Sequence, residues 1–450
     1  MPDSQPQPPE SPGPAHGPGP RSQAAGPGTA LLLGGARLID GRRVDVRLAG
    51  PRIEAVGTVG SLGTAPGTAR VDLDGYLLLP APAEPHTHGD TALSAESDGP
   101  VGYEPADLQR RTTEAALLQL GHGATALRCH VRIGDLAGLA AVEAALQAGR
   151  ALRGLVDLSV VAVPRLLTGA AGAEGLAMLR DAVKMGAAVV GGCPDADPDP
   201  GGHVEAVLEV AAEHGCPVDL HTDGDDPARL ARLAAAVGGL RPGVTIGPCG
   251  GLGRLPVKVA LRAAERLAAA GVTVVCLPQG DCPDAVAQGA PGPQGGHLPG
   301  GAAGAPGTER SCTAPVRLLR AAGVRVAAGS GALRDAANPV GRGDPLEAAY
   351  LLASRDGLRP AEAYDAVSDT ARAALGLPGV RVEAGFPAEL LAVRGQRLAD
   401  ALSLGYSRVV VHRGRVVART SAVREYCDSA AVAALDLPRQ GGSPADWTGL

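Results

Sequence analysis

The sequence predicts an α/β fold: a (β/α)8 TIM-type barrel carrying a small β-sandwich formed by the N- and C-terminal segments. Three observations predict it. Apolar strands alternate with amphipathic helices over roughly 290 residues, the pattern of a parallel sheet covered on its outside. Short strands punctuated by Gly-containing turns lie on both sides of that region. The 450 residues leave room for a large barrel core and a small second unit.

Residues 1–28 are mostly Pro, Gly, Ser and Gln. They cannot bury enough apolar surface to offset ordering entropy and are expected to be disordered. Residues 29–80 carry short strands at Ala30–Leu33, Val44–Leu48, Arg52–Val56 and Val71–Leu73, separated by Gly34-Gly35, Asp40-Gly41, Gly50-Pro51 and Asp74-Gly75. They form the first part of a composite sandwich. Residues 81–378 form the barrel, with strands expected at 77–84, 124–130, 157–163, 187–192, 217–221, 243–247, 272–277 and 324–329. Helices are expected between them at 105–120, 135–150, 173–185, 203–214, 227–237 and 257–270. Asp135 is an N-cap candidate, and Asp344-Pro345 opens a further helix over 345–353. The Gly/Pro-rich stretch 281–313 is expected to be a flexible loop after the seventh strand. Residues 379–420 return to short strands, Glu389–Val393 and a hairpin over Arg408–Val417 turned at Arg413-Gly414, and complete the sandwich. Residues 421–450 read as a tail.

Composition excludes several functions. The formal net charge of −6 gives no reason to expect nucleic acid or an anionic membrane as a partner. Aromatic residues make up only 2%, so the core must be packed from Ala, Val and Leu. The 8 cysteines are scattered without framework spacing and read as reduced thiols of a cytoplasmic protein. No apolar run reaches transmembrane length, and the N-terminus has no signal-peptide pattern. A small-molecule substrate or ligand is the expected partner, and homo-oligomerisation stays open.

The chemistry concentrates at Leu78-Leu79-Pro80-Ala81-Pro82-Ala83-Glu84-Pro85-His86-Thr87-His88. Residues two apart on a strand share a face, so His86 and His88 present both imidazoles to one point. Strand five ends in Asp219-Leu220-His221-Thr222-Asp223, which puts His221 on the same rim. Three histidines and a water form a hydrolytic zinc or iron arrangement. His122, His130 and His214 read as structural, with His130 alone near the mouth. Gly250-Gly251-Leu252-Gly253 lacks the spacing and lysine of a phosphate loop.

With these residues in place the chain resembles the amidohydrolase superfamily, in its cytosine deaminase-like branch, from Ala30 to about Arg419. The resemblance rests on Glu84–Thr91, Val190–Pro194, Asp219–Asp223 and Arg334–Ala349. It implies a mononuclear divalent metal, zinc or iron, on His86, His88 and His221, and hydrolytic deamination of a ring amidine. Four positions depart from the family pattern. Gly224 replaces a proton-shuttling Glu, Pro248 a histidine ligand and Gly331 the Asp that activates water. Arg165 follows the third-strand Pro164 where a substrate-binding Gln is expected. Gly and Pro supply no acid, base or ligand, and each lost acid/base typically forfeits ~10²–10⁴ in rate. A thiolate at Cys249, or Asp223, Asp225 or Asp226, are the candidates for compensation.

The expectation is a cytosine deaminase-like homologue with a degraded site, weak or absent metal binding and no ordinary deaminase activity. One alternative is a working metal-dependent hydrolase of non-peptide C–N bonds with a rearranged site, in which Arg165 holds an anionic substrate. The other is a non-catalytic partner subunit of an active homologue.

Overall fold

A computed structural model describes residues 30–422, apart from 64–66, 96–101, 103, 135–137, 241 and 280–312. The expected disorder of 1–28, the flexible loop at 281–313, the tail beyond 422 and the Asp135 cap therefore lie essentially outside the described residues.

The described strands form two sheets. The first part of the chain supplies β1 (Leu31–Arg37), β2 (Arg43–Ala49), β3 (Arg52–Thr58), β4 (Ala69–Asp72) and β5 (Tyr76–Pro80). The barrel strands are β6 (Ala83–Thr87), β7 (Ala126–Ile133), β8 (Asp157–Pro164), β9 (Val189–Gly192), β10 (Val218–Thr222), β11 (Val244–Pro248), β12 (Thr273–Cys276) and β13 (Arg325–Ala328). The chain closes with β14 (Leu390–Arg394), β15 (Arg408–His412) and β16 (Arg415–Thr420).

Strands β6 to β13 lie side by side in chain order, as right-handed strand–helix–strand crossovers require. A parallel bridge from Thr87 to Gly331 brings the two ends of this sheet together. Period-2 alternation explains what faces where. In β7, Leu127, Cys129, Val131 and Ile133 join the large core shared with the outer helices. Arg128 and His130, one residue out of phase, are equally buried and face the barrel axis. In β10, Val218 and Leu220 face the helices, whereas Asp219 and His221 face inward. Each fully buried Leu or Val contributes about 1.5–3 kcal/mol. The barrel floor is filled by small side chains: Ala371, from the helix Asp369–Ala374, packs with Ala83, Ala126 and Ala327.

Helix starts follow the capping logic. Asp199 accepts from Gly201 N and Gly202 N at the head of Pro200–His214. Asp226 accepts from Ala228 N and Arg229 N at the head of Pro227–Val237, and Asp344 from Leu346 N at the head of Pro345–Ser354.

The second sheet draws eight strands from both chain ends, in the order β16-β15-β14-β5-β1-β2-β3 with β4 on β1. It faces two cores. Leu78, Leu390 and Ala392 join the sheet's own cluster, while Leu77, Leu79, Leu391 and Val393 pack into the barrel's. The hairpin turn falls at Arg413 and Gly414, both with positive φ (49° and 75°).

One expected strand divides. The run 77–84 is not continuous: β5 ends at Pro80, pairing antiparallel with β14, and β6 begins at Ala83 in the barrel. The Pro80-Ala81-Pro82 step removes two N–H donors, so the ladder cannot continue across it. Among the described residues no helix is long and apolar enough to cross a membrane.

Candidate metal centre

Four imidazoles meet at the mouth of the barrel. His86 and His88, on the end of β6 and just beyond it, have their Nε2 atoms 3.1 Å apart. The His86 ring stacks on His130 at 4.1 Å between centroids and lies 4.6 Å from His221. His88 and His221 are 5.3 Å apart, and His130 and His221 4.7 Å. All four rings are 4% exposed or less. His86, His88 and His221 thus share one site. Arg165, by contrast, lies exposed on the turn after Pro164.

His130, expected to be structural and near the mouth, lies within this cluster. Asp219, quoted in the sequence but given no role there, lies directly beneath. The signal was present: a charged or polar residue at every second position of an apolar strand (Arg128, His130; Asp219, His221) points into the barrel.

A polar layer supports the rings. Asp219 Oδ2 accepts from Arg128 Nη1 at 2.8 Å and from Thr245 Oγ1 at 2.7 Å. Arg128 also donates to the Ala374 carbonyl at 2.8 Å, tying the floor helix to this layer. Asp219 Oδ1 faces His130 Nε2 at 3.3 Å. On the ring's other side, His130 Nδ1 faces the Thr87 carbonyl oxygen at 3.3 Å. The Cys193 sulfur lies 3.5 Å from His221 Nδ1.

Electrostatics favour neutral His86 and His130 rings beside a charged carboxylate. Burial, and then the neighbouring imidazoles and Arg128, hold His86 well below the usual histidine range. Burial also lowers His130, against the pull of Asp219. Burial alone would raise Asp219, but His130 and Arg128 outweigh it and keep the carboxylate ionised. Glu84, fully buried two residues before His86, is pushed up to about 8 by burial, opposed by the Ser330 N–H that it accepts at 2.8 Å.

This donor set fits a divalent metal. One ligand atom each from His86, His130, Asp219 and His221 all lie within 4.8 Å of one another. Neutral imidazoles with one carboxylate suit zinc or iron. Bound there, such an ion supplies Lewis-acid polarisation and a lowered pKa for bound water.

The departing positions are closed by conformation as well as by identity. Gly224 has φ +71°, and a Cβ there would lie 3.3 Å from Leu252 Cγ. Gly331 has φ +67°, and its Cβ would meet the Leu277 side chain at 3.1 Å. Neither a Glu nor an Asp side chain is accommodated without strain and displacement of a buried Leu. Pro248 ends β11 and offers no side-chain donor atom to a metal.

Three of the four compensation candidates are buried or engaged elsewhere, and Asp225 is exposed. Cys249 is fully buried, and burial together with Asp195 and Asp223 pushes its thiol well above the usual range, so it is not a ready thiolate ligand. Asp223 accepts from Gly251 N at 2.7 Å and pairs with Arg254. Asp226 caps its helix.

Comparison with known proteins agrees with this architecture. The model of the amidohydrolase family (Amidohydro_3) matches residues 104–418. A pterin deaminase of Rhizobium rhizogenes (strain K84 / ATCC BAA-868) is 27% identical over 387 residues, covering 80% of this chain and 84% of the relative. An N-isopropylammelide isopropyl amidohydrolase of Pseudomonas sp. (strain ADP) is 28% identical over 181 residues, 34% of this chain and 44% of that protein. Among solved structures, N-isopropylammelide isopropylaminohydrolase from Burkholderia multivorans ATCC 17616 superposes with a TM-score of 0.73 at 28% identity, covering 88% of this chain and 100% of that one. The 5-methylcytosine deaminase from Klebsiella pneumoniae liganded with phosphonocytosine superposes with a TM-score of 0.71 at 22% identity over 88% of this chain and 100% of that one, a likeness of fold.

Proposed function

The chain belongs to the amidohydrolase family, and from that premise we propose that it is a deaminase-related member whose proton-handling positions have been closed. It does not turn over ring amidines at ordinary rates. One observation carries the reading: at both places where the family resemblance calls for a carboxylate, Gly224 and Gly331 adopt left-handed backbone conformations with Leu252 and Leu277 packed over them. Two general acid/base groups lost together would each forfeit ~10²–10⁴ in rate. The buried imidazoles stay as a divalent-metal pocket. A small ring-bearing molecule is the ligand class in keeping with the relatives. Among the described residues, Cys129, Cys216, Cys249 and Cys276 form no disulfide, which supports a reducing, cytoplasmic setting.

A second reading, a working hydrolase with a rearranged site, is favoured by Glu84. Its fully buried carboxyl, held to about 8, is an acid/base group beside His86, on the inner side of the barrel. Arg165 at the rim would then meet an anionic substrate.

The deciding experiment is a C–N hydrolysis screen of zinc- and iron-loaded protein against cytosine, related pyrimidines, pterins, N-alkylaminotriazines and cyclic ureas, followed by ring absorbance. No turnover above the His86→Ala variant is expected. Turnover abolished by that substitution would establish the second reading.

A further inference from the structure

We propose that the metal seat has moved: the ion is held by His86, His130 and His221 with Asp219 as the fourth donor, in a closed centre that stabilises the barrel. The inference rests on the metal pocket proposed above but goes further, because it assigns His130 and Asp219 as ligands and gives the ion a structural role.

Donor and acceptor matching at His130 carries the argument. Both ring nitrogens face acceptors: Nδ1 the Thr87 carbonyl oxygen at 3.3 Å, and Nε2 the Asp219 Oδ1 at 3.3 Å. A neutral imidazole has one N–H for these two acceptors, so one nitrogen turns a lone pair on an oxygen. In the metal-bound state proposed here the N–H sits on Nδ1, toward the Thr87 carbonyl. The Nε2 lone pair is then left facing a carboxylate oxygen, an arrangement that calls for a cation between them. The spacing suits one. Two ligands of a tetrahedral zinc, each at about 2.0–2.1 Å, stand about 3.3 Å apart. Asp219 is prepared for the role, because Arg128 and Thr245 take its Oδ2 and leave Oδ1 turned to the rings. Likewise the Thr87 carbonyl fixes the His130 tautomer, as outer-shell partners of metal-bound histidines do.

Four protein donors fill a tetrahedral site, and structural zinc sites are closed in this way, whereas catalytic ones keep a position open. The four donor residues are 4% exposed or less. The chain thus makes good the histidine ligand lost at 248 with donors on the inward-facing rows of β7 and β10, His130 and Asp219.

The test is metal titration of chelator-stripped protein, read by zinc stoichiometry, zinc affinity and melting temperature, with cobalt as a spectroscopic probe. One zinc per chain is expected, together with a melting temperature several degrees higher when the metal is present. His130→Asn keeps a donor for Thr87 but lacks Nε2. It is expected to weaken zinc by more than roughly 100-fold, beyond what an outer-shell partner costs, whereas His88→Asn retains it. Cobalt in the wild-type protein needs no variant to fold: strong visible absorption of a four-coordinate ion is expected, and the weak bands of a six-coordinate ion would overturn the proposal. Loss of zinc in His88→Asn with retention in His130→Asn would also overturn it, leaving the closed proton-handling positions untouched. No zinc binding by the wild-type protein would overturn it too, making the His130–Asp219 contact a buried ion pair. Turnover in the substrate screen would count against the preceding proposal alone.

Discussion

Arg128 and Asp219 meet inside the barrel, Nη1 to Oδ2 at 2.8 Å, from strands three apart, and both side chains are about 2% exposed or less. The pair joins the floor of the barrel to its mouth: Arg128 also reaches the Ala374 carbonyl, and Asp219 faces the His130 ring. Removing one partner leaves a charge without its counter-ion in a dry interior. Asp219→Asn is therefore expected to cost about 3–5 kcal/mol in urea unfolding, and replacing both residues by apolar ones of similar volume much less. Equal costs for the single and double replacements would contradict the pairing.

Restoring the family side chains is not expected to restore chemistry. Gly224→Glu and Gly331→Asp each place a Cβ on a left-handed backbone, against Leu252 and Leu277 respectively. A non-glycine residue in that conformation costs roughly 1–2 kcal/mol before any overpacking. The double variant should unfold at lower temperature than wild type and release no ammonia from cytosine. Gain of activity without loss of stability would show that the positions are still open.

The barrel was legible in the sequence because its evidence is periodic. Leu127, Cys129, Val131 and Ile133 repeat every second residue, and the strand–helix rhythm repeats around them. His86 and His88 were legible for the same reason, and His221 from its place at a strand end. His130 was harder to read. Ending its strand at 130 placed it at the rim, whereas β7 continues to Ile133 and holds the ring within the inward-facing row. Asp219 was readable as an inward-facing residue, but not its role, because its partners, Arg128 and Thr245, lie 91 and 26 residues away. The division of 77–84 turned on which sheet pairs with Leu77–Leu79, and an apolar run does not reveal its pairing partner. At Gly224 and Gly331 the sequence showed the missing carboxylates, but not that Leu252 and Leu277 cover the vacated space.

Acid stability should depend on Asp197. Burial would raise its carboxyl, but hydrogen bonds from Leu167 N, Thr168 and His203 outweigh it and bring it down to about 2. The folded-state value lies below the unfolded value of 3.8, so the stabilisation is present above that pH and is lost as pH falls toward 2. Asp197→Asn should remove about 2 kcal/mol at neutral pH and flatten the acid limb between about pH 4 and 2. Urea midpoints measured across that range check it; an unchanged limb would assign the acid loss to other groups.

Thiol reactivity gives an independent check on the packing. Burial pushes Cys129 and Cys276 up to about 12 and Cys249 well above the usual thiol range, while Cys216 is only half-buried. Alkylation at pH 8 followed by peptide mass spectrometry should leave Cys129, Cys249 and Cys276 unlabelled in the native protein and label them in urea. Rapid native labelling of Cys249 would indicate an accessible thiolate beside the pocket.

The most direct measurement is ammonia release by the zinc-loaded protein from cytosine and from pterin, set against the His86→Ala variant at equal concentration. The account predicts the same background rate for both proteins, because Gly224 and Gly331 stand where the family resemblance calls for proton-handling carboxylates. A wild-type rate at least tenfold above the variant would contradict it.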